Sequence, residues 1–97
     1  MRAWTITVDN VGEVEEPLGT NANAVGLTGP REVKLTKEQI IAHPDAKKFR
    51  MKDDDGVVYY EGYMVCDDEF APLDDFGEPN AGCTSIELWL NNEWIML

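Results

Sequence analysis

The residues from Val65 to Cys83, VCDDEFAPLDDFGEPNAGC, hold the densest set of groups that could do chemistry. Two thiols, Cys66 and Cys83, enclose Asp67, Asp68, Glu69, Asp74, Asp75 and Glu78, with no base among them. Such a stretch could hold a metal, close a disulfide, or present acids to a basic partner. Zinc needs a full tetrahedral set, mostly of Cys and His. Cys66, Cys83 and the single histidine, His43, supply three ligands and no CxxC pair. Calcium takes roughly six to eight oxygens from a loop that alternates acids around a glycine. Neither DDDG at 53–56 nor DDEFAPLDD at 67–75 alternates in that way.

Covalent catalysis needs a nucleophile, a base to activate it and a group to orient the base. His43 is the sole imidazole available to either cysteine, and it precedes a proline at a helix end. The acids around Cys66 disfavour its thiolate, which argues against a reactive thiol. No Gly-x-Ser-x-Gly is present, and the glycine-rich GTNANAVGLTGP lacks the lysine of a phosphate-binding loop. Carboxylate pairs abound by composition alone, so they point to no particular glycosidic chemistry. No catalytic residue, metal ligand or cofactor is assigned, and the reading leans away from an enzyme.

Recognition remains. Phe70, Leu73 and Phe76 recur every three residues among the acids of 67–78. They either pin the segment to the core while the acids face water, or they anchor a partner that the acids select. The candidate binding residues are Asp67, Asp68, Glu69, Phe70, Asp74, Asp75, Phe76 and Glu78, together with Trp89 and Trp94.

The charge balance narrows the partner. Residues 1–52 carry all eight bases against seven acids, whereas residues 53–97 carry twelve acids and no base; the whole is −11. Phosphate backbones need Lys and Arg, so direct binding to a nucleic-acid backbone is not expected. Anionic lipid is repelled for the same reason. A basic protein is the charged partner that fits, and plain solubility is the bland alternative.

The elements that position these groups read as follows. RAWTITVD alternates Trp4, Ile6 and Val8 against Ala3, Thr5 and Thr7, a half-buried strand. Residues 10–31 read as a long loop rich in glycine and asparagine. Val33 and Leu35 suggest a short strand. TKEQIIAHP predicts a helix capped by Thr36 with Gln39 in a capping box, Ile40 and Ile41 facing inward, and Pro44 limiting it.

Two hairpins follow. Asp55-Gly56 as a two-residue turn pairs Phe49 with Gly62, Arg50 with Glu61 and Met51 with Tyr60. An aromatic ring can cover the bare backbone of a strand glycine, so Gly62 opposite Phe49 is consistent. Asn91-Asn92 pairs Trp89 with Trp94, Leu88 with Ile95 and Ile86 with Leu97. Both faces of this second hairpin are apolar. The face of Trp89, Trp94 and Met96 is therefore covered by the chain's helix or a loop, the commoner arrangement, or it meets another protein. Self-association through that face is one form of the latter.

The expected fold is α+β: a small, mainly antiparallel sheet of four or five strands with one short helix, in a single domain over 1–97. The nearest variant is a small β-barrel. The cysteines are expected free, buried and apolar in role. No signal-like or spanning apolar run occurs, which gives a cytoplasmic expectation. The functional expectation is a small acidic interaction module that binds, or binds and inhibits, a basic protein. The alternative is a small-molecule binder or enzyme with its site between the 10–31 and 67–83 loops.

Overall fold

The structure is a computed structural model that describes residues 1–11 and 24–97. Most of the 10–31 loop expectation therefore lies outside the described residues. Strands β1 (Arg2–Asp9), β2 (Thr28–Gly29), β3 (Lys47–Lys52), β4 (Val58–Cys66), β5 (Ser85–Leu90) and β6 (Glu93–Met96) form one open sheet in the order β2-β1-β4-β3-β5-β6. All neighbouring pairs are antiparallel. The sheet does not close, so the barrel variant does not hold. The expected Val33–Leu35 strand is absent; both side chains are half-buried against the helix-side core, and β2 takes the edge instead.

Helix α1 (Lys37–Ala42) forms where the capping box predicts it. The Gln39 N–H donates to Thr36 Oγ1 at 3.2 Å, and the Thr36 N–H donates to Gln39 Oε1 at 2.8 Å. His43 is extended, as the following proline requires. Ile40 is fully buried but Ile41 is 42% exposed, so only one of the two isoleucines faces inward.

The hairpin registers hold with one amendment. Phe49 opposes Gly62, Arg50 opposes Glu61 and Met51 opposes Tyr60. The first turn is longer than two residues. The Asp53 N–H donates to the Val57 carbonyl, and Gly56 alone takes the left-handed conformation, at φ 80°. Asp53 Oδ1 accepts from the N–H groups of Asp55 and Val57, which stabilises this three-residue loop. Tyr59 is then the extra residue of a bulge, and Lys52 opposes Val58 rather than Tyr59. The second turn is as expected: Asn91 and Asn92 have φ of 53° and 65°, and Trp89 opposes Trp94.

Strand β3 lies between β4 and β5, so those two run parallel and Cys66 and Cys83 fall at opposite ends of the sheet. The connection over 67–84 must therefore cross a whole face. It does so through a π-helical turn, Leu73–Gly77, that runs into a short helix α2, Glu78–Ala81. The main core fills the space beneath it, with Trp4, Ile6, Phe49, Met51, Tyr60, Met64, Ile86 and Leu88 from the sheet and Ala71, Leu73 and Phe76 from the crossover. On the opposite face Ile40 of α1 packs with Ala3 and Val65, with Tyr63 beside them. Strand β1 is thus buried on both faces, not half-buried as its alternation suggests: Ala3, Trp4, Thr5 and Ile6 are each 3% exposed or less.

Candidate functional site

The structure divides the candidate binding residues into two groups with different roles. In the crossover, Leu73 and Phe76 are buried, and Phe76 packs 4.9 Å from the Tyr60 ring and 5.7 Å from the Trp4 ring. These side chains pin the segment to the sheet. Phe70 alone is left out, at 45% exposure.

Most acids of the crossover have internal partners. Asp75 takes a two-pronged contact from Arg2, Nη2 at 2.7 Å and Nε at 3.1 Å, and the Trp4 indole N–H at 2.9 Å. Burial alone would raise the Asp75 carboxyl; the hydrogen bonds from Arg2 and Trp4 and the guanidinium charge outweigh it and hold the group below its usual range. Asp68 lies 3.6 Å from Arg2, Glu69 pairs with Lys47, and Asp67 accepts from the Met1 amine at 2.6 Å. Asp74 and Glu78 are exposed and in no ion pair among the described residues.

The second group sits on the sheet face that α1 leaves bare. Lys48, Arg50 and Lys52 of β3 stand beside Glu87 and Trp89 of β5 and Trp94 and Met96 of β6. Arg50 opposes Glu61 in the ladder, but its ion pair is with Glu87, Nε to Oε1 at 2.6 Å. Lys52 Nζ reaches the other Glu87 oxygen at 3.1 Å. Glu87 is 6% exposed. Its burial would raise the carboxyl, and the hydrogen bonds and charges of Arg50 and Lys52 bring it below the usual range instead.

The Arg50 guanidinium also lies over the Trp94 ring at 4.3 Å, with Lys48 at 5.9 Å. Trp94 meets Trp89 edge-on, their centroids 5.2 Å apart. Among the described residues neither the helix nor a loop covers the tryptophans, which corrects the covered-core expectation. The partial shield is a basic side chain from β3, and Trp89 remains 40% exposed. On the same face Met96 is 62% exposed, and on the opposite face of the hairpin Leu90, Ile95 and Leu97 are 39%, 37% and 38% exposed. Sequence reasoning named the tryptophans. It missed the Arg50–Glu87–Lys52 cluster, because it did not place β3 against β5.

A cleft of about 630 Å³ opens at the sheet end where β4 finishes, and it brings His43 and Cys66 to one rim. Both are engaged elsewhere. His43 Nδ1 accepts the Asp45 N–H at 3.0 Å, and the Cys66 thiol donates to the Ala3 carbonyl at 3.2 Å. Burial pushes the Cys66 thiol up, and it pushes the Cys83 thiol up to about 11. Both shifts disfavour the thiolate form. Both are free, Cys83 buried and Cys66 half-buried.

Among the described residues, no three His, Cys, Asp or Glu side chains converge as metal ligands, and no helix is long and apolar enough to cross a membrane. The described end of the 10–31 segment and the crossover share one apolar cluster through Ala24, Leu73 and Phe76. Comparison with protein-family models, with curated proteins and with solved structures finds no match for this chain.

Proposed function

We propose that the protein is a non-enzymatic interaction module that docks a basic protein segment on the exposed β5–β6 hairpin. One observation carries this reading: on the hairpin of a chain carrying −11, Trp89 and Met96 stand 40% and 62% exposed on one face, and Leu90, Ile95 and Leu97 stand 37–39% exposed on the other. Monomers rarely expose contiguous apolar patches beyond a few hundred Å², and larger ones mark interaction sites. Aromatic residues dominate the energetics of such patches.

The basic character of the partner rests on two supports. The net charge steers cations toward the molecule over long range. The hairpin also carries its own precedent for a bound cation, since Arg50 already stacks on Trp94. A partner's Arg or Lys can take the same place on Trp89, where the edge-to-face contact leaves ring surface free. The shielded thiols suit a reducing compartment.

The test is binding of fluorescent peptides that alternate Arg with Leu, against Glu-Leu counterparts. The Arg series binds, weakens with salt, and loses affinity in Trp89→Ala but not in Phe70→Ala. Equal binding of both series, or loss in Phe70→Ala alone, overturns the reading.

A further inference from the structure

The two edges of the sheet are finished differently. On one side β2 has only two residues, Thr28–Gly29, and Pro30 follows. Such a short strand ended by proline offers little for another strand to pair with. On the other side β6 is regular along its whole pairing with β5, with no bulge, no Lys and no Pro.

The outward-facing atoms of β6 follow from its ladder. The Leu97 N–H donates inward to the Ile86 carbonyl at 3.1 Å. Backbone groups alternate along a strand, so those of Ile95 also point inward, and the N–H and C=O of Trp94 and Met96 point out of the sheet. We infer that β6 pairs with the β6 of a second copy of this chain, antiparallel about a two-fold axis at Ile95, to make one continuous twelve-stranded sheet from two six-stranded ones.

The register is selected by charge and by hydrogen bonding. Centring on Ile95 sets Trp94 against the second copy's Met96, twice over, so all four outward N–H groups and carbonyls of each strand pair are used. Ile95 meets its own copy, and Glu93 meets Leu97. The two Glu93 carboxylates are then four residues apart along the ladder, about 13 Å, beyond the roughly 8 Å screening length of physiological salt. Sliding to pair Trp94 with Trp94 halves that separation to about 7 Å and leaves Met96 opposite the Asn91-Asn92 turn.

The side chains match on both faces. Trp94 lies beside the second copy's Met96 on the tryptophan face, and Ile95 and Leu97 join on the other. The exposed remainders of Leu90, Ile95, Met96 and Leu97 amount to roughly 300–400 Å² per copy, below the ~800 Å² of a standard interface. The dimer is therefore reversible and concentration-dependent. It goes beyond the basic-partner reading, because it uses the strand edge and leaves Trp89 open. Its salt response is opposite too: two copies of charge −11 repel, so salt strengthens the dimer while it weakens a basic partner.

Sedimentation of the full chain from micromolar to millimolar concentration tests this, with two variants. Ile95 is 37% exposed, and lysine there sets two cations face to face on the axis. Ile95→Lys should move the dimerisation midpoint up by about tenfold or more. Ile95→Cys, oxidised with diamide, should cross-link to itself, since side chains on the axis lie about 5 Å apart, while Leu97→Cys and the unsubstituted chain should not. A mass growing with concentration and salt, with the cross-link confined to position 95, supports the pairing. A monomer throughout, a cross-link at 97 but not 95, or a dimer indifferent to Ile95→Lys overturns it. Monomers whose β6 amides are protected only by an Arg-Leu peptide would assign the edge to the basic partner and overturn it as well.

Discussion

Glu87 is the hinge of the exposed β3–β5 face, and a double-mutant cycle can weigh it. Its carboxylate side chain is 8% exposed and is met by Arg50 at 2.6 Å and Lys52 at 3.1 Å, whose side chains are 23% and 19% exposed. Removing one partner of a fully buried pair costs about 3–5 kcal/mol. The two bases reach water, so roughly 2–3 kcal/mol is expected for Glu87→Gln. Arg50→Met keeps the stem but loses a charged hydrogen bond, worth roughly 1.5–3 kcal/mol, and the stack on Trp94, worth roughly 0.5–1 kcal/mol. Lys52 continues to neutralise Glu87, so the total falls near ~2 kcal/mol. The Arg50/Glu87 coupling by urea denaturation should be about 1.5 kcal/mol or more. The Arg50/Glu61 coupling should stay at the surface level of roughly 0.2–1 kcal/mol, because Glu61 lies nearest Lys48, at 4.0 Å. An Arg50/Glu87 coupling no larger than that of Arg50/Glu61 would refute the assignment of the cluster.

Three further outcomes are expected. A Cβ at Gly62 would lie 2.0 Å from the Thr5 carbonyl oxygen and 2.9 Å from Phe49; Gly62→Ala must spread β1 from β4 and should lower stability by roughly 3 kcal/mol or more, read by denaturant midpoint. Asp75 is held below its usual range in the fold, so its contribution is complete above the unfolded carboxylate pKa of about 4 and disappears as pH falls through the lower folded value. Asp75→Asn should therefore lose roughly 1–2 kcal/mol at neutral pH, with the difference from the unsubstituted chain shrinking as pH falls below the unfolded carboxylate value; a difference that grows in acid would contradict this. Cys83, 1% exposed with its thiol pushed up to about 11, should resist thiol reagents until the protein unfolds, with Cys66 slowed as well; fast native labelling of Cys83 would contradict its place in the core.

What the sequence revealed was local. Asn91-Asn92 and the Phe49–Gly62 pairing are specified by residues no more than 13 positions apart, so turn chemistry and alternation were enough. The insertion of β3 between β4 and β5 was not visible that way, since no local signal distinguishes a meander from a crossover. One clue was present: joining parallel strands needs a connection of a dozen or more residues, and 67–84 has that length, with Phe70, Leu73 and Phe76 at near-helical spacing. Pro72 and Pro79 hid it. They are tolerated because Pro72 precedes the π-helical turn and Pro79 falls in the first turn of α2. Arg2 and Trp4 lie 73 and 71 positions from Asp75, and only the folded sheet brings them to it. The tryptophan pair was legible as a pair, whereas its exposure depended on where α1 docks.

The central claim is that the β5–β6 hairpin, not the acidic crossover, receives a basic partner. Backbone amide shifts of the labelled protein, followed as an alternating Arg-Leu peptide is added, test it most directly. Saturable shifts are expected on Glu87–Met96 and the Trp89 indole N–H, reduced by added salt and abolished in Trp89→Ala, whose stability falls by about 2 kcal/mol because the residue is 40% exposed. Shifts centred on Asp67–Glu78, or shifts that persist unchanged in Trp89→Ala, would contradict it.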